Sequence, residues 1–244
     1  MCQRARVASA TGKGVQGVAM AISEDRTAKS RVRDAAIVRF ANHGIGPTNI
    51  KDIAADAGVS SALVIHHFGS KDGLRDECDK YVAARIRERK IAAMEAGTSL
   101  DPLEAFRAQG DIQPLFRYLA RTLADNSPHV AALVDELVED AIAYSQTGID
   151  NGMLTPTDNP RERAIVLTLW SLGSIVLHDH AKRLMGVDLV DGTPEQLTTW
   201  ALAGADILGR GVIDPDFYAK YLAHPSGDSG VEATRPDPPA GPST

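Results

Sequence analysis

The 244-residue chain has 43% hydrophobic and 24% charged residues, so it is neither collagen-like nor wholly disordered. Its two cysteines exclude a disulfide framework and a four-thiolate zinc site, and they favour a reducing cytosol. No apolar stretch reaches the roughly 20 residues that a membrane span needs, and no export signal is visible in the first residues. We therefore expect a cytoplasmic protein with no membrane partner.

Charge is distributed unevenly along the chain, whose net charge is −6. Residues 1–23 carry three Lys and Arg and no acidic residue, and residues 24–90 carry 13 basic against 10 acidic residues. Residues 91–244 carry 10 basic against 22 acidic residues. A basic front and an acidic back indicate two parts with different partners, and the front is the part suited to phosphate.

Apolar residues recur at helical spacing in most of the chain, and no segment shows sustained strand alternation. Residues 1–22 are rich in Gly, Ala and Ser and predict a disordered arm, while residues 225–244 contain five prolines and predict a disordered tail. The helices are expected at about 27–43, 49–56, 60–67, 71–95, 102–109, 112–125, 129–147, 161–185, 194–210 and 215–222. The predicted fold class is all-α.

Residues 50–71, IKDIAADAGVSSALVIHHFGSK, hold the most informative pattern. Two short helices joined through a glycine are typical of a helix-turn-helix motif. Gly58 permits the positive φ of the tight turn, and Ser60 offers a capping hydroxyl to the second helix. The pattern leaves Ser61, Ala62, Ile65 and His66 on the outward side. In such a motif the second helix enters the DNA major groove with its N-terminal residues against base edges.

The order of a basic first helix, a threonine at 48, the sequence IAADAGVS at 53–60 and the exit HFGSK at 67–71 resembles the TetR family of bacterial transcriptional regulators. The resemblance covers about residues 27–75. It implies a three-helix DNA-binding domain followed by a larger helical domain that dimerises and holds a small-molecule pocket. The expected domains are the arm 1–22, the DNA-binding domain with its connecting helix 23–90, the ligand-binding and dimerisation domain 91–224 and the tail 225–244.

The resemblance also implies which residues meet DNA, with Thr48 and Lys71 expected at phosphates. Together with the outward residues of the second helix, the expected DNA contacts are Thr48, Ser60, Ser61, Ala62, Leu63, Ile65, His66 and Lys71. Two positions depart from the family pattern. Ala62 stands where the family has glycine or a similarly small residue, and Ile65 stands where it has tyrosine. Isoleucine offers no hydroxyl to a phosphate, so one backbone contact is lost or taken over by His66.

The predicted helices 161–185 and 194–210 carry wide apolar arcs that need more than one packing partner. We expect them to form a four-helix interface in a two-fold dimer, and a thick monomer core is the alternative. The expected interface residues are Ile165, Leu169, Leu172, Val176, Leu197, Trp200, Gly204, Ile207 and Leu208. By family analogy a ligand pocket would be lined by Phe106, Phe116, Leu119, Leu123, Leu133, Leu137, Tyr144 and Trp170, although each of these is also a reasonable core residue.

Together these features predict a homodimeric repressor that a small molecule releases from palindromic operator DNA, with no cofactor, metal or catalytic residue. A regulator that activates, or that responds to no ligand, is the first alternative. An alternative of another class is a helical metal-dependent hydrolase that uses His178, Asp179 and His180. Two histidines at i,i+2 do not share a helix face, and no second ligand pair has a recognisable spacing.

Overall fold

The structure, a computed structural model, describes residues 12–100, 113–125, 127–216 and 219, with side chains from residue 27 onward. Within them every regular element is helical, which confirms the all-α prediction. The α-helices are α1 (Gly12–His43), α2 (Ile50–Ala57), α3 (Ser61–Phe68), α4 (Lys71–Ala96), α5 (Gln113–Leu123), α6 (Pro128–Asp150), α7 (Pro160–Val176), α8 (His178–Met185) and α9 (Pro194–Arg210), and a 3-10 turn, Gly97–Ser99, follows α4.

Helix α1 begins 15 residues earlier than predicted, at Gly12. The helix thus covers residues 12–22 of the segment for which the sequence predicts a disordered arm. Three glycines in this segment lower its helix propensity, but it contains no proline, and extending an existing helix costs far less than starting one. Residues 1–11, the expected helix at 102–109, most of the one at 215–222 and the tail lie outside the described residues.

The helix predicted at 161–185 is two helices, and this prediction is corrected. Helix α7 ends at Val176, α8 begins at His178, and the two axes meet at a bend of 73°. Ala181 of α8 packs with Val187 and Leu189 in a small separate cluster, which draws α8 away from the line of α7. Among the described residues no single helix is long and apolar enough to cross a membrane, and α7 and α8 pass that test only as this bent pair.

One hydrophobic core joins helices α1 to α7. Val32 and Phe40 of α1, Ile53 of α2, Val64 of α3 and Val82 of α4 contribute its N-terminal part, and all of them are buried. The C-terminal helices supply Tyr118, Leu119, Leu133, Leu137 and Leu172. The predicted domain boundary at residue 90 falls inside α4, and the core continues across it. The two predicted domains therefore share their packing.

The described residues fall into two compact units, one that ends at residue 200 and one that begins at residue 201. The first unit contains the large core and the small cluster around Ala181, against which Leu197 and Trp200 pack. In the second unit, residues 201–210 complete α9, where Arg210 pairs with Asp206 one turn earlier.

Candidate nucleic-acid interface

Helices α2 and α3 form the predicted helix-turn-helix, and local interactions fix its turn. Gly58 ends α2 in the left-handed conformation with φ of 65°, where any other residue would be strained. The Ser60 side chain caps α3 by accepting a hydrogen bond from the backbone N–H of Leu63 at 3.2 Å. Both features confirm what the sequence predicts, and they set the angle at which α3 leaves the motif.

The inner side of the motif packs against α1. Ile53 and Val64 are fully buried, and Ala54 is nearly so. The side chain of Arg31 on α1 donates from Nε to the carbonyl oxygen of Ala57 at 3.2 Å, so a cation sits at the C-terminus of α2, where the helix dipole favours it. The inner faces of both α2 and α3 are thus buried in the core that α1 helps to form.

The outer side of α3 is open to solvent along its first two turns. Ser60, Ser61, Ala62 and His66 are exposed, Leu63 is half-buried, and Ile65 has 45% of its surface exposed. Helix α3 contains no acidic residue. Its N-terminus therefore presents small, polar and apolar side chains that suit base edges and thymine methyl groups.

The structure places Thr48 and Lys71 differently from the other expected DNA contacts. Thr48 is buried, and its hydroxyl donates to the carbonyl oxygen of Gly44 at 2.7 Å. Lys71 donates from Nζ to three backbone carbonyl oxygens in the turn before α2.

The residue that caps α2 is Asn49, whose side chain accepts a hydrogen bond from the Asp52 backbone N–H at 2.9 Å. The sequence signal for this cap was an Asn three residues before an Asp.

Two basic residues near the motif differ in their surroundings. Arg39 of α1 forms a two-pronged ion pair with Asp56 of α2, and the hydrogen bond to Arg39 holds the pKa of the Asp56 carboxyl below its usual value. The Arg39 charge is thereby neutralised within the protein. Lys51, in the first turn of α2, is exposed. Lys51 is not among the predicted DNA contacts, because a single exposed lysine belongs to no recognisable motif.

Comparisons with known proteins agree with this geometry. The family model described as "Bacterial regulatory proteins, tetR family" matches residues 32–78, and the model described as "Tetracyclin repressor-like, C-terminal domain" matches residues 111–223. The HTH-type transcriptional repressor KstR2 of Rhodococcus jostii is 39% identical over 194 residues, which cover 70% of this chain and 95% of KstR2. The chain belongs to the TetR family. The HTH-type transcriptional regulatory protein RaaS of Mycobacterium tuberculosis is also 39% identical, over 159 residues that cover 64% of this chain and 73% of RaaS.

Two solved structures have a similar fold. A regulator of this family from Rhodococcus sp. aligns with a TM-score of 0.57 at 15% identity, covering 75% of this chain and 98% of that one. NalD of Pseudomonas aeruginosa, the secondary repressor of the MexAB-OprM multidrug efflux pump, aligns with a TM-score of 0.50 at 20% identity, covering 79% and 99%. This TetR-family protein is a DNA-binding transcriptional regulator and not an enzyme.

The residues proposed for a ligand pocket do not form one group in this TetR-family protein. Leu119, Leu133 and Leu137 lie in the large core, and Phe116 and Leu123 pack against it. Tyr144 of α6 is half-buried, and burial raises the pKa of its phenol. Trp170 is 62% exposed on α7, so it faces away from the protomer's interior. Phe106 lies outside the described residues.

The residues proposed for the dimer interface divide into exposed and packed positions. Leu169 and Val176 of α7 are exposed, as are Ile207 and Leu208 in the second compact unit. Ile165 and Gly204 are half-buried. Leu172 lies in the large core of the protomer, and Leu197 and Trp200 pack on the small cluster. The wide arc of α7 is thus shared between the core and an exposed face.

The residues of the hydrolase alternative do not converge on a metal site. His178 and His180 lie at the start of α8, and Nδ1 of His178 is 3.8 Å from a carboxylate oxygen of Asp179. In the part of the chain that the structure describes, no group of three or more His, Cys, Asp and Glu residues could hold a metal ion. The geometry of the described residues does not favour the hydrolase, and neither do the comparisons.

Proposed function

We propose that this regulator is a homodimeric repressor that leaves a palindromic operator when a small molecule binds among its C-terminal helices. The observation that carries the proposal is the shared core, because the helices that present the recognition helix α3 also pack against the helices of the C-terminal domain. The protein acts in the cytoplasm, where the operator DNA lies. KstR2, a relative that aligns over nearly its whole length, is named a repressor, and this supports repression over activation.

Helix α5 contacts α1 and α4, the two helices that flank the helix-turn-helix motif in the sequence. The Tyr118 ring lies 6.4 Å from the ring of Phe40 on α1, measured between centroids. The Tyr118 hydroxyl donates to Asp79 Oδ1 on α4 at 2.6 Å. Arg117 donates from Nη1 to Oδ1 of Asn42 at 3.3 Å, next to the C-terminus of α1. A displacement of α5 must therefore shift α1 and α4 or break these contacts.

A second set of contacts links α4 to the turn between α5 and α6. Arg75 is buried on α4, and its Nη1 lies 3.1 Å from a carboxylate oxygen of Asp125. Its Nη2 donates to the hydroxyl of Ser127 at 3.0 Å. Asp76 lies 2.7 Å from Nδ1 of His129 in the first turn of α6. Arg75 lies four positions after Lys71, the first residue of α4, so these contacts lie close to the DNA-binding motif.

Dimerisation is supported by the exposed face of α7. Val166, Leu169, Trp170 and Val176 each expose more than 40% of their surface, and a row of large apolar side chains on one helix marks an interaction surface. A two-fold axis would give two recognition helices, which can read half-sites about one helical turn apart. Ile207 and Leu208 remain further candidates for the interface.

The small molecule acts, on this proposal, by a population shift. It must bind more tightly to the conformation in which the two recognition helices cannot reach both half-sites, and operator affinity then falls by that difference in affinity. The contacts of α5 with α1 and α4 give the path by which a change among the C-terminal helices reaches α3.

The test begins with a duplex selected on the protein from a randomised library and placed upstream of a reporter gene. We expect expression of the reporter to fall when the regulator is produced, and a rise would overturn the repressor proposal in favour of an activator. Small molecules that raise the melting temperature of the protein are then added to the protein–DNA complex. At least one is expected to release the duplex. If every stabilising compound leaves operator affinity unchanged, the ligand-release mechanism is wrong.

A further inference from the structure

Ser127 occupies the N-cap position of α6, but its side chain does not cap the helix. Its backbone has the extended conformation of an N-cap residue, with φ of −114° and ψ of 160°. Asn49, Ser60 and Ser70 occupy the same position in α2, α3 and α4, and each accepts a hydrogen bond from a backbone N–H of its own helix. The Ser127 hydroxyl instead accepts from Nη2 of Arg75 on α4 at 3.0 Å. The hydroxyl at the start of α6 is thus committed to another helix.

Arg75 is held between α4 and the turn that joins α5 to α6. The residue is only 4% exposed. Its Nη1 lies 3.1 Å from a carboxylate oxygen of Asp125 in that turn, and its Nε lies 3.8 Å from a carboxylate oxygen of Asp79, one turn later on α4. Removing one partner of a buried charge is strongly destabilising, because the charge is left uncompensated. The turn therefore cannot move away from α4 unless Arg75 moves with it or exchanges its partners.

These contacts lie at the end of α4 that adjoins the recognition helix. Helix α3 ends three positions before α4 begins, and Arg75 lies about one turn inside α4. Asp76, the next residue, lies 2.7 Å from Nδ1 of His129 in the first turn of α6. The first turns of α4 are thus tied to the turn between α5 and α6 by two adjacent side chains, and a change in that turn is felt where α4 follows α3.

The Ser127 hydroxyl has two alternative partners. In the arrangement of this structure it accepts from Arg75, and in the other it caps α6 while Arg75 keeps only Asp79. A serine cap shifts a local equilibrium by about fivefold, which a binding event elsewhere can reverse. We propose that this exchange couples DNA binding to the C-terminal helices, and that Arg75 is its positioning residue. With Arg75 on Ser127 and Asp125, the start of α4 holds α3 in the orientation that binds DNA. This inference rests on the proposed control of DNA binding by the C-terminal helices and names the contact that is exchanged.

Coupling between two sites is reciprocal, so the selected duplex must itself strengthen the contacts of Arg75 with the turn. Amide hydrogen exchange, read residue by residue by mass spectrometry, measures this without any effector. The Asp125 and Ser127 amides both donate within the turn. We expect saturating duplex to slow their exchange at least about fivefold in the wild type, and to slow it no longer in Arg75→Met. Arg85→Met is the matched control, because Arg85 pairs with Glu88 of its own helix α4 and should keep the full response.

A purely structural role for Arg75 gives a different result. Exchange in Arg75→Met would then be faster both with and without the duplex, and the ratio of the two rates would stay at its wild-type value. That outcome overturns the proposal, and so does a wild-type turn whose exchange does not respond to the duplex.

Ser127→Ala decides the question if Arg75→Met does not fold. It removes the hydroxyl and leaves the ion pair of Arg75 with Asp125 in place. We expect its duplex-dependent slowing to fall to about twofold or less, and a full wild-type response would overturn the exchange of partners. These measurements need only the protein and the duplex. The reporter and ligand-release experiments can therefore fail while this result stands, and the reverse also holds.

Discussion

The hydroxyl of Tyr118 on α5 donates a hydrogen bond of 2.6 Å to Oδ1 of Asp79 on α4, across 39 residues of sequence. Both residues are buried. Burial raises the pKa of the Asp79 carboxyl above its ordinary value, although the Tyr118 hydrogen bond acts in the opposite direction. Burial, followed by the charge of Asp79, raises the pKa of Tyr118 well above that of an ordinary phenol. Tyr118 therefore donates the hydrogen bond that stabilises the buried Asp79 carboxyl, and this bond joins the two predicted domains.

Removing this donor should destabilise the fold. We expect Tyr118→Phe to lower the free energy of unfolding by about 2 kcal/mol, since a buried acceptor loses its partner. Urea unfolding at neutral pH measures the change. Tyr81→Phe is the control, because the half-buried ring of Tyr81 faces the Arg33 guanidinium at 3.5 Å and should change stability by no more than about 0.5 kcal/mol. Equal losses in the two variants would show that the Tyr118 hydroxyl has no special role.

Asp79 should make stability depend on pH. Because its pKa is raised in the folded state, the folded protein keeps a proton on Asp79 at pH values just above the ordinary carboxyl pKa of about 3.9, while the unfolded chain does not. The contribution of Asp79 is fully present below that pH and is lost as the pH rises through the folded-state pKa. Asp79→Asn cannot titrate. We expect the stability of the wild type relative to Asp79→Asn to fall as the pH rises from about 4.

The same pH series in a Tyr118→Phe background gives an internal check. Removing the hydrogen bond that lowers the pKa of Asp79 should widen the pH interval over which stability falls. Parallel stability curves for the wild type and Asp79→Asn, measured by urea unfolding, would contradict the assignment of this pH dependence to Asp79.

Ile65 offers a test of the outward face of α3. Its side chain is 45% exposed and stands where the family pattern has tyrosine. We expect Ile65→Tyr to bind the selected duplex more tightly than the wild type, with a slope of log K against log salt that is not shallower, because a hydroxyl hydrogen-bonds a phosphate without adding charge. Ile65→Phe supplies the ring without the hydroxyl and should show no such gain. If the two variants bind alike, position 65 does not approach the DNA backbone.

The exposed face of α7 predicts the oligomeric state. A charge introduced at Leu169, which is 50% exposed, would be buried without a partner in the proposed dimer interface. We expect Leu169→Arg to sediment as a monomer at concentrations where the wild type is a dimer. Val38→Arg is the control, because Val38 is a similarly exposed apolar residue on α1. A dimeric Leu169→Arg variant would place the interface elsewhere.

The sequence by itself determined the helices around the motif and the turn within it. Gly58 and Ser60 act on backbone groups no more than four residues away, so their signals are local and can be read in order along the chain. The helix-turn-helix pattern predicts that Ser61, Ala62 and His66 point outward, and all three are exposed.

Only the tertiary structure decided the relationships between residues far apart in the chain. The carbonyl acceptors of Lys71 lie 23 to 26 residues away, and Asp79 lies 39 residues from Tyr118. The bend after Val176 and the separation of Leu172 from Trp170, one buried and one exposed, depend on which neighbours each helix meets. Periodicity defines the faces of a helix, but the packing of one helix on another selects which face is covered, and that selection is made by contacts that no local pattern encodes.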